Sequence, residues 1–193
     1  MTARIVLVRH AEPSKSARGR AIGRTDVGLS REGAKHARKL ATTLAADRVV
    51  SSPAKRARNT AAPIARANVV DLEIDDDLRE IDFGAFDGRT FASLERDHPD
   101  LYATWMRSPT TVLFPDGETW PQLQERSTAA LEHLARAGEG RTTIGVTHLG
   151  VILATLGRVL DVPDEEVFGI TVLHGRSHAF VVEAGSWVVE PPA

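Results

Sequence analysis

The sequence predicts an α/β fold built as three α/β/α layers around a mainly parallel, mixed central sheet. Short runs rich in Ile and Val recur along the 193 residues, and stretches with helical apolar spacing separate them. Strands alternating with helices imply a sheet covered on both faces. No repeat, low-complexity tract or Pro/Gly-rich linker divides the chain, so residues 1–193 are expected to form a single domain.

The elements follow in order. Ala3 to Val8 reads as a short buried strand without strict alternation, and Arg9 to Val27 as a loop containing Pro13, Gly19 and Gly23. Ser30 suits an N-cap, and Ala34, Ala37, Leu40, Ala41 and Leu44 recur at helical spacing behind it. Arg48 to Ser51 is a second strand. Ser52-Pro53 then reads as a helix start, with Ser as cap and Pro at the first position, and Pro63 is expected to kink or end that helix. Val69 to Ile74 is a third strand candidate. Phe91 to Met106, interrupted by Pro99, and Glu118 to Ala137 read as helices. Thr142 to Thr147 is a strand, and Val151 to Leu160 a helix. Phe168 to Leu173, Ala179 to Glu183 and Trp187 to Glu190 are expected as closing strands, the last two joined by a Gly185-Ser186 turn.

Composition excludes several classes. There is no cysteine, hence no disulfide scaffold, thiolate metal site or cysteine nucleophile. No apolar run approaches the ~20 residues that span a bilayer, and Ile5 to Val8 is too short for a secretory core, so the cytoplasm is the expected location. The net charge of -2 conceals an asymmetry: residues 1–66 carry 11 Arg and 4 Lys against four acids, while residues 67–193 are strongly acidic. The basic part holds no Phe, Tyr or Trp, so it offers no stacking platform for bases. A small anionic substrate is therefore expected, with neither nucleic acid nor membrane as partner; oligomeric state is not legible.

Chemistry concentrates where strands end. Arg9-His10 follows the first strand, Ser51-Ser52-Pro53 with Arg56 follows the second, and His148 follows the strand ending at Thr147. In open α/β sheets ligands bind beyond the carboxyl ends of strands, so these residues are expected to share one crevice. A guanidinium matches phosphate oxygens and stays charged, and a helix start beside Arg56 favours an anion. A neutral imidazole is a competent nucleophile, and cationic neighbours should keep His10 neutral. A carboxyl group must protonate the leaving oxygen, and Glu80 is the candidate among many acidic neighbours. His174 and His178 stand four apart, but Gly175 between them argues against a helical metal pair. Asp75-Asp76-Asp77 reads as an acidic turn rather than a magnesium site, and the Gly-containing stretch 19–28 lacks a P-loop ending.

Together these motifs resemble the histidine phosphatase superfamily, the phosphoglycerate-mutase-like proteins. Leu7-Val8-Arg9-His10-Ala11-Glu12 resembles its opening Arg-His-Gly motif, with Ala11 in place of the usual Gly. Gly23 to Gly33 resembles its loop into the next helix, Ser51 to Ala61 its second arginine motif, and Leu78 to Gly84 its acid motif. Asp116-Gly117-Glu118 resembles its Gly-Glu segment and Val146 to Gly150 its second histidine motif. The likeness runs in family order over essentially the whole chain, and is nearest the α-ribazole-phosphatase-like, broad-specificity branch.

The resemblance implies a metal-independent, cofactor-free phosphatase of small phosphate monoesters, with His10 as the phosphorylated nucleophile. Arg9 and Arg56 would grip the phosphoryl group, His148 would donate to its oxygens, and Glu80 would be the acid/base. Backbone around Gly23 and Leu149 would add donors. Ser16 stands where many members have a phosphate-contacting Asn, and Ile22 where mutases tend to have a hydroxyl residue. Alternatives are a cofactor-dependent phosphoglycerate mutase, disfavoured by the compact span between Glu80 and His148, and a non-catalytic phosphate-ligand binding protein. Specificity is assigned to 86–118, where Phe91, Tyr102, Trp105, Met106 and Phe114 would line a lid or pack a core.

Overall fold

The computed structural model describes residues 3–183 and 186–190. Six strands form one mixed sheet: β1 (Arg4–Arg9), β2 (Arg48–Ser51), β3 (Leu72–Ile74), β4 (Thr142–Thr147), β5 (Ser177–Glu183) and β6 (Ser186–Val189), in the spatial order β3-β2-β4-β1-β5-β6. The first four run parallel, and β5 and β6 are antiparallel additions beside β1. The helices are α1 (Arg31–Leu40), α2 (Lys55–Ala67), α3 (Phe91–Asp97), α4 (Pro99–Arg107), α5 (Trp120–Ala137) and α6 (Leu149–Leu160).

Alternation along β1 divides the core into two layers. Val6 and Val8 join Val49, Ile144 and Val146 beneath α1 and α2, where Leu40, Ala57, Ala61 and Ile64 close the layer. Ile5 and Leu7 face the other way, with Val50 and Phe180, into α5 and α6 through Leu123, Leu131, Leu134, Ile152 and Leu156. Because both faces are buried, β1 carries an unbroken apolar run instead of an amphipathic one. A third, smaller cluster of Phe86, Leu94, Val112 and Phe114 lies under α3 and α4.

Ser30 caps α1 as expected, its hydroxyl accepting from Gly33 N–H at 2.9 Å. Pro99 separates α3 from α4. Four expectations need correction. The second helix starts at Lys55 rather than Ser52-Pro53, because Asp26 Oδ1 accepts from the Lys55 N–H at 2.7 Å and supplies the capping acceptor from a distant loop. Pro63 neither ends nor breaks α2: the bond it cannot donate belongs to the carbonyl of exposed Asn59, which water can reach, while Ala61, Ile64 and Ala65 hold the next turn in the core. The strand expected over Val69 to Ile74 shrinks to three residues, since Val69 takes a left-handed φ of 57° on leaving the helix. Phe168 to Leu173 is not a strand. Both edges of β1 are already taken by β4 and β5, and the segment instead starts in a 3-10 turn (Val167–Gly169). Of the Gly185-Ser186 turn, Gly185 lies outside the described residues. Among the described residues no helix is long and apolar enough to cross a membrane.

Candidate active site

Because β1, β2 and β4 run parallel, their carboxyl ends open on one edge of the sheet, and the segments leaving β1 and β4 line a crevice of about 320 Å³. Arg9, His10, Glu80, Leu149 and His174 line it, while Arg56 and His148 are buried and do not.

His10 is 5% exposed and lies between two other imidazoles, with ring centroids 5.2 Å from His148 and 5.0 Å from His174. Its Nδ1 donates to Ala11 O at 2.8 Å, which assigns the neutral ring's proton and leaves Nε2 with a free lone pair. Burial first, and the Arg56 charge next, hold its pKa well below the usual imidazole value. The Ala11 N–H donates to Thr60 Oγ1, whose hydroxyl donates to Arg56 O, so α2 fixes the turn that carries His10.

Arg56 reaches from α2 into the loop after β1, donating to Thr25 O at 3.1 Å, Ile22 O at 3.2 Å and Gly23 O at 2.9 Å. That loop is pinned from behind by Asp87, whose carboxylate accepts from the N–H groups of Gly23, Arg24 and Thr25 and from the Thr25 hydroxyl. Arg9 donates from Nη1 to Val172 O at 2.7 Å, while its Nε is buried with no partner among the described residues. A buried guanidinium N–H without an acceptor suits an anionic ligand.

His148 is fully buried at the end of β4; its Nε2 lies 2.8 Å from Ser52 Oγ, and its Nδ1 has no partner among the described residues. Burial, then Arg56, lowers its pKa strongly. Glu80 Oε1 accepts from the N–H groups of Ile81 and Gly150, both at 3.0 Å. Burial nevertheless raises its pKa above the ordinary carboxylate value, against the pull of Arg56 and Arg9. The loop before it is held by Arg126, which pairs with Glu118 and donates to Asp77 O and Arg79 O.

Of the five residues expected to act together, Arg9, His10 and Glu80 line one crevice, the His148 ring lies 5.2 Å from that of His10, and the buried Arg56 charge acts on His10, Glu80 and His148. Two expected backbone and side-chain donors are placed elsewhere. The Gly23 N–H is already committed to Asp87 at 2.6 Å, and Ser16 is exposed, its hydroxyl bonded to Ser14 at 2.7 Å. Leu149 opens α6 at the crevice wall, as expected. The acids around Glu80 are engaged on the surface: Glu73 with Arg48, Asp76 with Arg79, Asp82 with Arg24. Sequence reading missed Ser52 as a partner of His148, Asp87 as the anchor of the 22–25 loop, and Arg126. Ser52 and Asp87 act across more than sixty residues, and Arg126 reaches the carbonyls of Asp77 and Arg79 across more than forty, so no local pattern marks them. His174 does not pair with His178: it donates from Nδ1 to His10 O at 3.1 Å, whereas His178 lies on β5 opposite Leu7. Among the described residues no three His, Asp or Glu side chains are grouped to hold a metal ion.

The sequence profile of the histidine phosphatase superfamily (branch 1) matches residues 5–191. A bifunctional protein of Mycobacterium tuberculosis is 35% identical over 162 residues, covering 82% of this chain but 44% of its own length. The chain thus spans less than half of that relative. A metal-independent phosphoserine phosphatase of Arabidopsis thaliana is 31% identical over 94% of this chain and 80% of its own. Among solved structures, a putative α-ribazole-5'-phosphate phosphatase of Escherichia coli superposes with a TM-score of 0.87 at 22% identity, over 98% of this chain and 95% of that one.

Proposed function

Since the chain belongs to the histidine phosphatase superfamily, we propose that it hydrolyses small-molecule phosphate monoesters through a phosphohistidine on His10, without a metal ion. The observation that carries this reading is the His10 tautomer. With Nδ1–H tied to Ala11 O, the free lone pair belongs to Nε2, in a crevice that Arg9 and Glu80 also line, with the His148 ring 5.2 Å away and the Arg56 charge acting on His10.

In the first half-reaction His10 Nε2 bonds to phosphorus as the ester P–O bond breaks. The proton on Glu80 passes to the departing alkoxide. Arg9 and Arg56 neutralise the phosphoryl oxygens, and His148 donates to them as charge builds. In the second, the Glu80 carboxylate takes a proton from water while its oxygen bonds to phosphorus. The P–N bond breaks, and inorganic phosphate and neutral His10 are restored. The raised pKa of Glu80 suits a group that must carry a proton in one half and accept it in the other. Segment 86–118 contributes Phe91, Trp105 and Phe114 to the crevice wall and is assigned to substrate selection.

The test is phosphate release from p-nitrophenyl phosphate in EDTA, with the wild type beside His10→Ala. EDTA-resistant turnover that disappears in the variant, with radiolabel trapped on His10 of the quenched wild type, supports the reading. Turnover surviving in His10→Ala would sink it.

A further inference from the structure

The main chain that carries the nucleophile is held from two sides, and one of the holds is a side chain with no other task in the site. His10 is buried, so its carbonyl oxygen needs a donor. Among the described residues that donor is the His174 side chain, whose Nδ1–H reaches it at 3.1 Å. The other end of the same peptide group, the Ala11 N–H, donates to Thr60 Oγ1 on α2 at 3.0 Å. The plane of the His10–Ala11 peptide is therefore fixed at its oxygen by His174 and at its hydrogen by Thr60. The next carbonyl, Ala11 O, accepts from the His10 ring Nδ1–H at 2.8 Å. Tilting the peptide plane changes ψ of His10 and φ of Ala11, the torsions that place Ala11 O relative to the ring. The hydrogen bond that chooses the tautomer then goes with it.

The chain around His174 is shaped to deliver it there. Leu173 to Arg176 is a tight turn, closed by the Arg176 N–H on Leu173 O at 3.0 Å, with Gly175 at a φ of 71°. Glycine is needed at 175 for that left-handed φ, and because a Cβ there would strike the His36 imidazole on α1. Main-chain bonds tie the turn to the end of β1: the Arg9 N–H donates to Arg176 O at 3.0 Å, and the Gly175 N–H donates to Arg9 O at 2.9 Å. The His174 ring is thereby set beside that of His10, with centroids 5.0 Å apart. Arg9 takes its own side-chain acceptor from the backbone of Val172. Removing the imidazole of residue 174 thus leaves that guanidinium its anchor.

We propose that His174 is a positioning residue for the nucleophile: by holding the His10–Ala11 peptide, it keeps the His10 proton on Nδ1 and the Nε2 lone pair free for phosphorus. This rests on the phosphatase reading for what the orientation achieves, whereas the orientation itself can be read without turnover.

The test uses His174→Ala, which removes the donor, and His174→Asn, whose amide nitrogen stands as far from Cβ as Nδ1 does and keeps it. Nitrogen-15 spectra of the neutral His10 ring should show one tautomer, protonated at Nδ1, in the wild type and in His174→Asn, and a mixture in His174→Ala. In single turnovers of p-nitrophenyl phosphate with excess protein, His174→Ala should slow nitrophenolate release at saturation by about tenfold or more, as a misplaced reacting group does. Half-saturation should move by less than about twofold, because the guanidinium groups that bind the phosphoryl oxygens are untouched. His174→Asn should recover most of the rate. Thr60→Val, which frees the other end of the peptide, should also slow release, and combining it with His174→Ala should cost less than the product of the two effects, since both act on one group. A mixed tautomer in His174→Ala, restored in His174→Asn, with no nitrophenolate released by any of the proteins, would uphold this inference while removing the phosphatase reading. A single Nδ1 tautomer in His174→Ala overturns the inference with or without turnover. Where the wild type turns over, release in His174→Ala that is not slowed, a rise in half-saturation alone, or no recovery in His174→Asn also overturns it and leaves the phosphatase reading standing.

Discussion

His148 Nε2 and Ser52 Oγ lie 2.8 Å apart, both fully buried, at the ends of adjacent parallel strands β4 and β2. The same hydroxyl oxygen accepts from the Ala54 N–H at 3.4 Å, and its own proton can be donated to Nε2. With that bond donated by Ser52, the neutral ring's proton sits on Nδ1, the atom left without a partner among the described residues. Ser52 thereby makes His148 a donor on its open side. Ser52→Ala should lower kcat about tenfold with KM little changed, and cost about 1–2 kcal/mol of stability through the orphaned nitrogen. Nitrogen-15 shifts of His148 should report a changed tautomer population. An unaltered kcat would show that Ser52 is packing alone.

The acid and the nucleophile have pKa values displaced toward one another's range. Burial and Arg56 keep His10 unprotonated below the usual imidazole value, and burial keeps Glu80 protonated above the usual carboxylate value. The rising limb of kcat/KM should therefore fall below, and the falling limb above, those ordinary values, giving an optimum on the acid side of neutrality. Glu80→Gln should reduce kcat by about 10²–10⁴-fold and abolish the falling limb of the enzyme. The ester's own ionisation affects both proteins equally, so the difference between the two profiles isolates Glu80.

Gly150 tests the position of Glu80 from the other side of the crevice. A Cβ at residue 150 would collide with Glu80 Oε1, the atom that its own N–H now holds, and would press Leu123 at 3.2 Å. Gly150→Ala should displace the carboxylate and lower kcat by at least about tenfold, while a circular dichroism spectrum and gel-filtration volume stay those of the wild type. Full activity in this variant would mean that Glu80 is not the proton carrier.

Local chemistry was readable where it depends on neighbours in sequence. Ser30 before an apolar period of 3.6, the Ile/Val run ending at Arg9, and Pro99 between two helical stretches each announce their structure. Reading failed where a distant group took over a local role. Asp26 supplies the acceptor at the start of α2 that Ser52 was expected to give, and Ser52 is thereby left for His148. Phe168 to Leu173 has strand-like composition, but both sides of β1, whose Arg9 donates to Val172 O, are already paired with β4 and β5. Four of the five groups of the site were legible from strand ends, with Arg9 closing β1, His10 and His148 directly after β1 and β4, and Arg56 in the first turn of the helix after β2, whereas Glu80 was legible only as the carboxyl group the chemistry needs. Ser16 and Gly23 were misplaced because a loop's hydrogen bonds depend on Ser14 and Asp87, which no spacing rule connects to them.

Asp87 should matter through Arg56. Its two oxygens accept four donors of the 23–25 loop, and the carbonyls of residues 22, 23 and 25 accept from the Arg56 guanidinium. Without the carboxylate the loop loses its anchor and the guanidinium its fixed direction. Asp87→Ala should destabilise the chain by about 2 kcal/mol and raise KM for any phosphate ester more than it lowers kcat. Restored KM in Asp87→Asn, which keeps two of the acceptor lone pairs, would show that geometry rather than charge is responsible. An unchanged KM in Asp87→Ala would disconnect the loop from the site.

Stability should fall on the acid side earlier than carboxylate titration alone would bring. His10, His148, His174 and His178 all have pKa values below the usual imidazole value of 6.5, burial being the largest cause in each. The unfolded chain therefore takes up protons first as pH falls below that value. Their contribution is complete above it and is lost as pH falls through the folded-state values. Glu80, with a raised value, acts in the opposite sense: it favours the folded state as pH falls, but it is one group against four. Melting temperature at fixed ionic strength should accordingly decline from about pH 7 downward, before ordinary carboxylates near 4 begin to titrate. His178 separates this effect from catalysis, since it lies on β5 away from the crevice lining and its buried Nε2 has no partner among the described residues. His178→Leu removes one proton acceptor that the folded state disfavours, and should flatten the decline while leaving kcat unchanged. A decline as steep in His178→Leu as in the wild type would assign the acid sensitivity to His10, His148 and His174 alone.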